Sequence, residues 1–299
     1  MATINGWDCI ELRREGLTLQ LLPQIGGRIV GISWQGVELA WVNADLAGLD
    51  PVRTPRGPFR VWGGDKTWLA PQGQWPDGMP YVDLDEGAFD VASSADGVTM
   101  TSPLCRATGL RLVRSVMLGQ RPGQWSVEHA LINEGPHAVR CGVWDVSMLR
   151  LPAVVFFPAP RMVHVYEEEG AGAEVVSKVV EQIGSCARVM CDGGWKFKYG
   201  ALTHDPWIAG YFTVPGARTL VHVKRMTGVP QDAVFAHPCS TEVFCSDECD
   251  YVELEVHGPL VELAPGDRTS STELCWVGSA QQIPTTEDAV RSDVKRCGG

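Results

Sequence analysis

The chain has 299 residues, 44% of them hydrophobic and 20% charged, an ordinary globular composition that excludes a disordered or fibrous protein. Its 36 acidic and 25 basic side chains give a net charge of −11, so the cations are outnumbered as well as scattered, which argues against nucleic acid and against an anionic membrane surface as partners. At this length roughly three quarters of the unfolded surface can be buried, and a large core needs no disulfide staples.

Met1 to Trp7 followed by Asp8 and Glu11 offers no basic region leading into an apolar run, and no stretch of about 18 apolar residues occurs. The expectation is a soluble, unexported, cytoplasmic protein. Its ten cysteines are then reduced thiols, mostly buried. Cys239, Cys245 and Cys249 with His237 lack a recurrent zinc spacing, so no metal and no cofactor is expected.

Helical periodicity is nearly absent, while period-two segments punctuated by Gly, Pro, Asn and Asp recur from end to end, which predicts an all-β sandwich or barrel. The first hairpin pairs Arg28–Trp34 with Val37–Val42 around Gln35-Gly36. Strands follow at Ala88–Ala92, Val98–Ser102, Leu110–Leu118, Trp125–Ile132 and Val139–Leu149. The second half adds Val154–Phe157, Met162–Tyr166, Ala187–Cys191, Trp195–Tyr199, Trp207–Val214, Thr219–Lys224, Thr241–Cys245, Tyr251–Val256 and Ser271–Val277. So many strands with no linker or repeat between them predict one large β domain over residues 1–280 and a polar tail over 281–299. Helices are predicted only at Ala173–Gln182 and, short and fraying, at Glu287–Arg291.

Alternation along Tyr251–His257 puts Val252, Leu254 and Val256 on one face and Tyr251, Glu253, Glu255 and His257 on the other. That ionisable face is either a solvated exterior or the wall of a cleft in which carboxylates and an imidazole shift one another's pKa. The segment from Phe59 to Gln72 gathers Arg60, Trp62, Asp65, Lys66 and Trp68 around Gly63-Gly64. Indoles stack on the C–H face of a pyranose while Arg, Lys and Asp bind its hydroxyls, so this mixture suits a sugar site; the alternative is that the Trp side chains fill core and the cations pair at the surface. Gly26-Gly27-Arg28 precedes no helix and reads as a β-turn or bulge. His129 alternates with Trp125, Val127 and Leu131 and reads as a core histidine.

Three segments resemble the galactose mutarotase-like superfamily, the relatives of aldose 1-epimerase: Ile25–Ile32 with Gly36–Leu39, then Gly63–Trp68, then Tyr251–Glu255 with Leu263-Ala264-Pro265-Gly266-Asp267 and Thr272-Glu273. The resemblance implies a large antiparallel β-supersandwich and an isomerase that opens a sugar ring by general acid/base catalysis. By similarity Glu255 is the base, with Glu253 the alternative on the same face. The family's acid is a His on a mid-chain strand, and the matching stretch here, Cys141–Leu149, has none. Either Asp145 takes that role beside Trp144, or His164 or His204 reaches in from elsewhere, or ordinary mutarotation is lost.

The resemblance therefore implies a small carbohydrate or carbohydrate-like ligand held by Arg60, Trp62, Asp65, Lys66, Trp68, Trp144, Tyr251 and His257. A non-catalytic carbohydrate-binding protein, or the same cleft used for another proton transfer, is the competing expectation.

Overall fold

Residues that alternate apolar with polar bury one face of a strand, and pairing two such sheets face to face is the cheapest way to cover both apolar faces. In the computed structural model, which describes residues 2–51, 59–160, 163–170, 172–214 and 218–298, twelve strands form one antiparallel sheet and ten form a second. The architecture is the predicted all-β sandwich. Side by side in the middle of the larger sheet run Asp65–Ala70, Val139–Arg150, Tyr251–His257, Thr241–Cys245 and Phe197–Ala201. The second sheet is centred on Thr219–Thr227, Arg268–Ala280 and Gln124–Asn133. Between the sheets, Val252, Leu254 and Val256 pack with Val127, Leu131 and Val277.

The hairpin at Gln35-Gly36 forms as predicted, both residues adopting the positive φ of a tight turn, but its second strand is only Val37–Glu38. Beyond it the chain touches the sheet through the single bridges Ala40 to Leu149 and Val42 to Gly63. Three unpredicted strands precede that hairpin, at Ala2–Ile4, Trp7–Arg14 and Leu17–Leu22. The predicted helix over Ala173–Gln182 stops at Val179, because Val180–Ile183 turns through Gly184 and pairs with Cys186–Cys191 instead. The strand predicted over Met162–Tyr166 is observed at Val163–Val165, Met162 lying outside the described residues.

The tail does not fray. Its helix runs Glu287–Gly298 and buries Val290, Val294 and Cys297 against Phe156, Trp207, Val223 and Trp276 on the outer side of the second sheet. All ten cysteines are free and nine are buried. No helix among the described residues is long and apolar enough to cross a membrane.

Candidate active site

The strand Tyr251–His257 is flanked on both sides, by Val139–Arg150 and by Thr241–Cys245, so its polar face is held in fixed register. Residues directly opposite in an antiparallel pair share a face. Glu253 therefore stands beside Met148 and Phe244, Glu255 beside Val146 and Glu242, and His257 beside Trp144. The next strand adds Lys66 beside Val146 and Trp68 beside Trp144. That strand starts at Gly63-Gly64, where only glycine fits: both have φ near +80° (88° and 74°), and a Cβ would lie 2.4 Å from the Trp41 carbonyl oxygen at Gly63 and 2.6 Å from that of Ile29 at Gly64.

Two groups of side chains occupy this face. In the first, the Lys66 ammonium lies 3.2 Å from Glu253 Oε1 and 4.3 Å from the centre of the Trp68 ring. With Arg60, Trp62, Trp68 and Tyr251 they line a small recess of about 20 Å³. Burial pushes the Lys66 pKa down, with the Glu253 carboxylate opposing. Arg60 donates from Nε to Glu86 Oε1 at 2.8 Å, and Trp62 donates to the same oxygen at 3.0 Å, so Glu86 orients both at the recess wall.

In the second group, the Lys198 ammonium lies 3.0 Å from Glu242 Oε2 and 3.0 Å from Glu255 Oε2. Trp144 donates its indole N–H to Glu255 Oε2 at 2.7 Å, Tyr166 donates its hydroxyl to Glu242 Oε1, and His237 Nδ1 is 3.3 Å from the same atom. Like charges placed directly opposite across strands repel, so the two carboxyls divide the work. Burial tends to raise both; Lys198 and the two histidines overcome it at Glu242, which is held well below the usual carboxylate range. Glu255 has fewer donors and an Oε1 with no hydrogen-bond partner among the described residues, so burial dominates, reinforced by Glu242 and Glu253, and it is pushed well above that range. The arrangement is one carboxylate, one carboxylic acid and one ammonium, which is charge-neutral. Trp144 also stacks against Trp75, centroids 5.5 Å apart, and meets Trp68 edge-on at 5.0 Å, so three indoles close one end of the face.

No family model matches the chain, and no curated protein sequence matches it. Solved structures do. A proposed aldose 1-epimerase from Klebsiella pneumoniae superposes with a TM-score of 0.63 at 13% identity, covering 96% of this chain and 82% of that one. A proposed aldose 1-epimerase from Escherichia coli K12 gives 0.58 at 15% identity, covering 91% and 99%, and a galactose mutarotase-like protein from Lactobacillus casei gives 0.57 at 12% identity, covering 91% and 100%. The chain has the galactose mutarotase-like fold.

Within this galactose mutarotase-like sandwich the expected site residues separate into two layers. Tyr251, Glu253, Glu255, His257, Lys66, Trp68 and Trp144 share the face just described, with Arg60 and Trp62 at its recess. Asp65 and Asp145 do not. Asp65 pairs with Ser147 and Asp145 with Thr67, which turns all four toward the second sheet. There they join Arg114, His129, Lys224 and Glu273 in an ionic cluster buried between the sheets. Burial alone would raise the Asp65 pKa, but Lys224 and Arg114 outweigh it and hold it well below the usual range. Glu273 is likewise held down, at about 2, by Lys224 and His129 acting against burial. Asp145 is pushed well up by burial and by the Asp65 and Glu273 charges. Asp145 also meets the Lys224 ammonium and lies 3.5 Å from Arg114, so Asp65, Asp145 and Glu273 share these two cations. The reason for the correction is parity: one residue along a strand reverses the face.

His129 is the predicted core histidine, its Nδ1 2.9 Å from the Thr67 hydroxyl. His164 stands one ring back from the site, edge-on to Tyr166 at 4.4 Å, and His204 Nε2 is 3.3 Å from the Ala233 carbonyl. Neither replaces the missing family histidine beside Glu255. The sequence reading missed Glu242, Lys198, Tyr166 and His237. Glu242 and Lys198 each lie on a short apolar strand, where a lone charge flanked by Thr, Val, Phe and Tyr was the available signal.

Proposed function

We propose that the chain is an aldose 1-epimerase-like isomerase that opens and recloses the ring of a sugar or related hemiacetal, with Glu253 as base and Lys66 as acid. The observation that carries this reading is the Lys66–Glu253 pair, 3.2 Å apart at the edge of that small recess. The hydroxyl and ring oxygens of a hemiacetal hang on one carbon, so two groups a hydrogen bond apart can address both. Glu253 takes the proton of the anomeric hydroxyl as Lys66 gives one to the ring oxygen. The C1–O5 bond breaks, C1 becomes a carbonyl, and rotation about C1–C2 exposes its other face. Ring closure returns each proton to its donor.

The reading assigns catalysis to Glu253 rather than Glu255, because Glu255 is fully buried under Trp144 and Lys198 while Glu253 edges the recess. It calls for a small carbohydrate or carbohydrate-like ligand encountered in the cytoplasm, without a nucleic-acid or membrane partner. The test is anomerisation of a panel of aldoses followed by NMR, in wild type and Glu253→Gln. Acceleration by wild type that falls about 10²- to 10⁴-fold in the variant supports the assignment; acceleration equal in both overturns it.

A second reading, a carbohydrate-binding protein without catalysis, is favoured by one observation: no histidine stands opposite the acidic strand on Val139–Arg150. Saturation-transfer NMR that detects sugar binding while no aldose is anomerised would establish it.

A further inference from the structure

His237, Glu242 and His257 converge on one point of the same face, each offering a ligand atom within 4.8 Å of the others. They come from three places in the chain. Glu242 and His257 stand on adjacent strands, and His237 projects from the 228–240 segment that joins Thr219–Thr227 to Thr241–Cys245. That segment is tied down on both sides of His237: Leu260 N–H donates to the Val234 carbonyl at 2.7 Å, and Ser240 N–H to that of Ala201 at 3.0 Å.

We infer that these three side chains form a binding site for one divalent late first-row cation, with Zn²⁺ as the fitting probe. Four ligand atoms about 2.0–2.1 Å from a tetrahedral zinc lie about 3.3–3.4 Å from each other. Glu242 Oε2 is 3.2 Å from His257 Nε2 and 3.4 Å from His237 Nδ1. These are two of the three edges such a site needs, and the third, between the two histidines, is within 4.8 Å before any metal pulls it together.

Hydrogen bonding does not account for His257. Its side chain is 1% exposed, and among the described residues neither ring nitrogen has a hydrogen-bond partner, Nε2 lying 3.2 Å from Glu242 Oε2. A buried imidazole without a partner carries a desolvation cost, and a cation at Nε2 would offset the part that falls on that nitrogen. Trp144 fixes both rings, stacked on His257 at 5.6 Å and edge-on to His237 at 4.6 Å.

The groups already on Glu242 leave room for the ion. Tyr166 donates to Oε1, which frees Oε2 as the metal ligand. Lys198 shares its ammonium between Glu242 Oε2 and Glu255 Oε2 at 3.0 Å each, so it can retreat to Glu255 alone. His237 gives up its Nδ1 proton and carries its hydrogen on Nε2 in the bound form. Three protein ligands leave one vertex for water or for an oxygen of a bound molecule, the pattern of an open site rather than a closed structural one. The donor set of two imidazoles and a carboxylate suits zinc, cobalt or nickel over magnesium or calcium. The inference stands apart from the isomerase reading, since neither Glu253 nor Lys66 is a ligand.

The test is titration of the chelator-treated, full-length protein with Co²⁺ under reducing conditions, followed by displacement with Zn²⁺. One equivalent of Co²⁺ with the visible bands of a four-coordinate nitrogen–oxygen site is expected, and Zn²⁺ raises the melting temperature. His237→Ala, a change in the connecting segment, weakens binding at least about 10²-fold while leaving the apo melting temperature near that of wild type. His257→Gln serves as a second variant, its fold checked by circular dichroism. Absence of stoichiometric binding, binding unchanged in His237→Ala, or a thiolate-to-cobalt charge-transfer band showing capture by the cysteines would each overturn the inference.

Discussion

Glu242 and Glu255 lie directly opposite one another on neighbouring strands, and the Lys198 ammonium is 3.0 Å from an oxygen of each. All three are buried, so removal of the ammonium leaves Glu242 a buried carboxylate without its principal counter-charge. Breaking a buried ion pair from one side costs about 3–5 kcal/mol, more than the pair contributes against an apolar replacement. Lys198→Met is expected to lower unfolding stability by about that amount in urea titration. Glu255→Gln is expected to cost far less, because a side chain already protonated is mimicked by an amide.

The cluster between the sheets predicts a stability that fails in acid. Asp65 and Glu273 have folded-state pKa values depressed by Lys224, Arg114 and His129, Glu273 to about 2. Depressed carboxyls stabilise the fold above their unfolded values near 4, and the contribution vanishes as pH falls from there through the folded values. His222, buried neutral and pushed down to about 4, acts in the same direction between about pH 6.5 and 4, because only the unfolded chain protonates it readily there. Asp145 is raised, so it opposes the trend at higher pH but drops out below about 4, where it is protonated in both states. The urea midpoint should therefore fall steeply between pH 4 and pH 2. A flat profile in that interval would contradict the charge assignment.

Asp65→Asn and Asp145→Asn separate the two aspartates of that cluster. An ionised Asp65 faces Lys224 at 3.1 Å and accepts from Ser147 at 2.6 Å. Asp65→Asn should destabilise by about 3 kcal/mol or more, whereas Asp145→Asn, at a carboxyl that burial and its acidic neighbours already push up, should cost less and leave anomerisation intact. Loss of catalysis without loss of stability in Asp145→Asn would return that residue to the active site.

How much of this was legible in the chain depends on which periodicity carried the signal. In Tyr251–His257 all seven residues are buried, yet strict alternation of apolar with polar side chains still put Val252, Leu254 and Val256 on the side toward the second sheet and Glu253, Glu255 and His257 on the other. Asp65 and Asp145 show where that logic stops. The strands Asp65–Ala70 and Val139–Arg150 are buried on both faces, so hydrophobicity does not tell the side toward the cleft from the side toward the second sheet. Glu242, Lys198 and His237 become neighbours only through pairings between distant segments. Gly63 and Gly64 carried a real constraint, the close approach of the Trp41 and Ile29 carbonyls, but their spacing alone named no partner. The tail helix was underestimated for a similar reason: Val290, Val294 and Cys297 make a narrow apolar stripe whose receiving surface is not visible in the sequence.

Lys66 predicts the alkaline side of the rate profile. Its ammonium faces Glu253, Arg28 and Asp85, with Tyr251 on the same recess, and burial lowers its pKa despite Glu253. A general acid works only while protonated, so kcat/KM should fall as pH rises through a value below the ordinary lysine pKa of about 10.4. Lys66→Arg should move or abolish that limb and Lys66→Met should lower the rate across the whole range. A limb unchanged in Lys66→Arg would remove Lys66 from the proton path.

The central claim is that proton transfer belongs to the carboxylate edging the recess, not to the one sealed beneath Trp144. Anomerisation rates of the responsive aldose, measured side by side for Glu253→Gln and Glu255→Gln with folding verified for both, address it most directly. The account predicts a loss of about 10²-fold or more in Glu253→Gln and a much smaller one in Glu255→Gln. The reverse order, with Glu253→Gln near wild type, would contradict it.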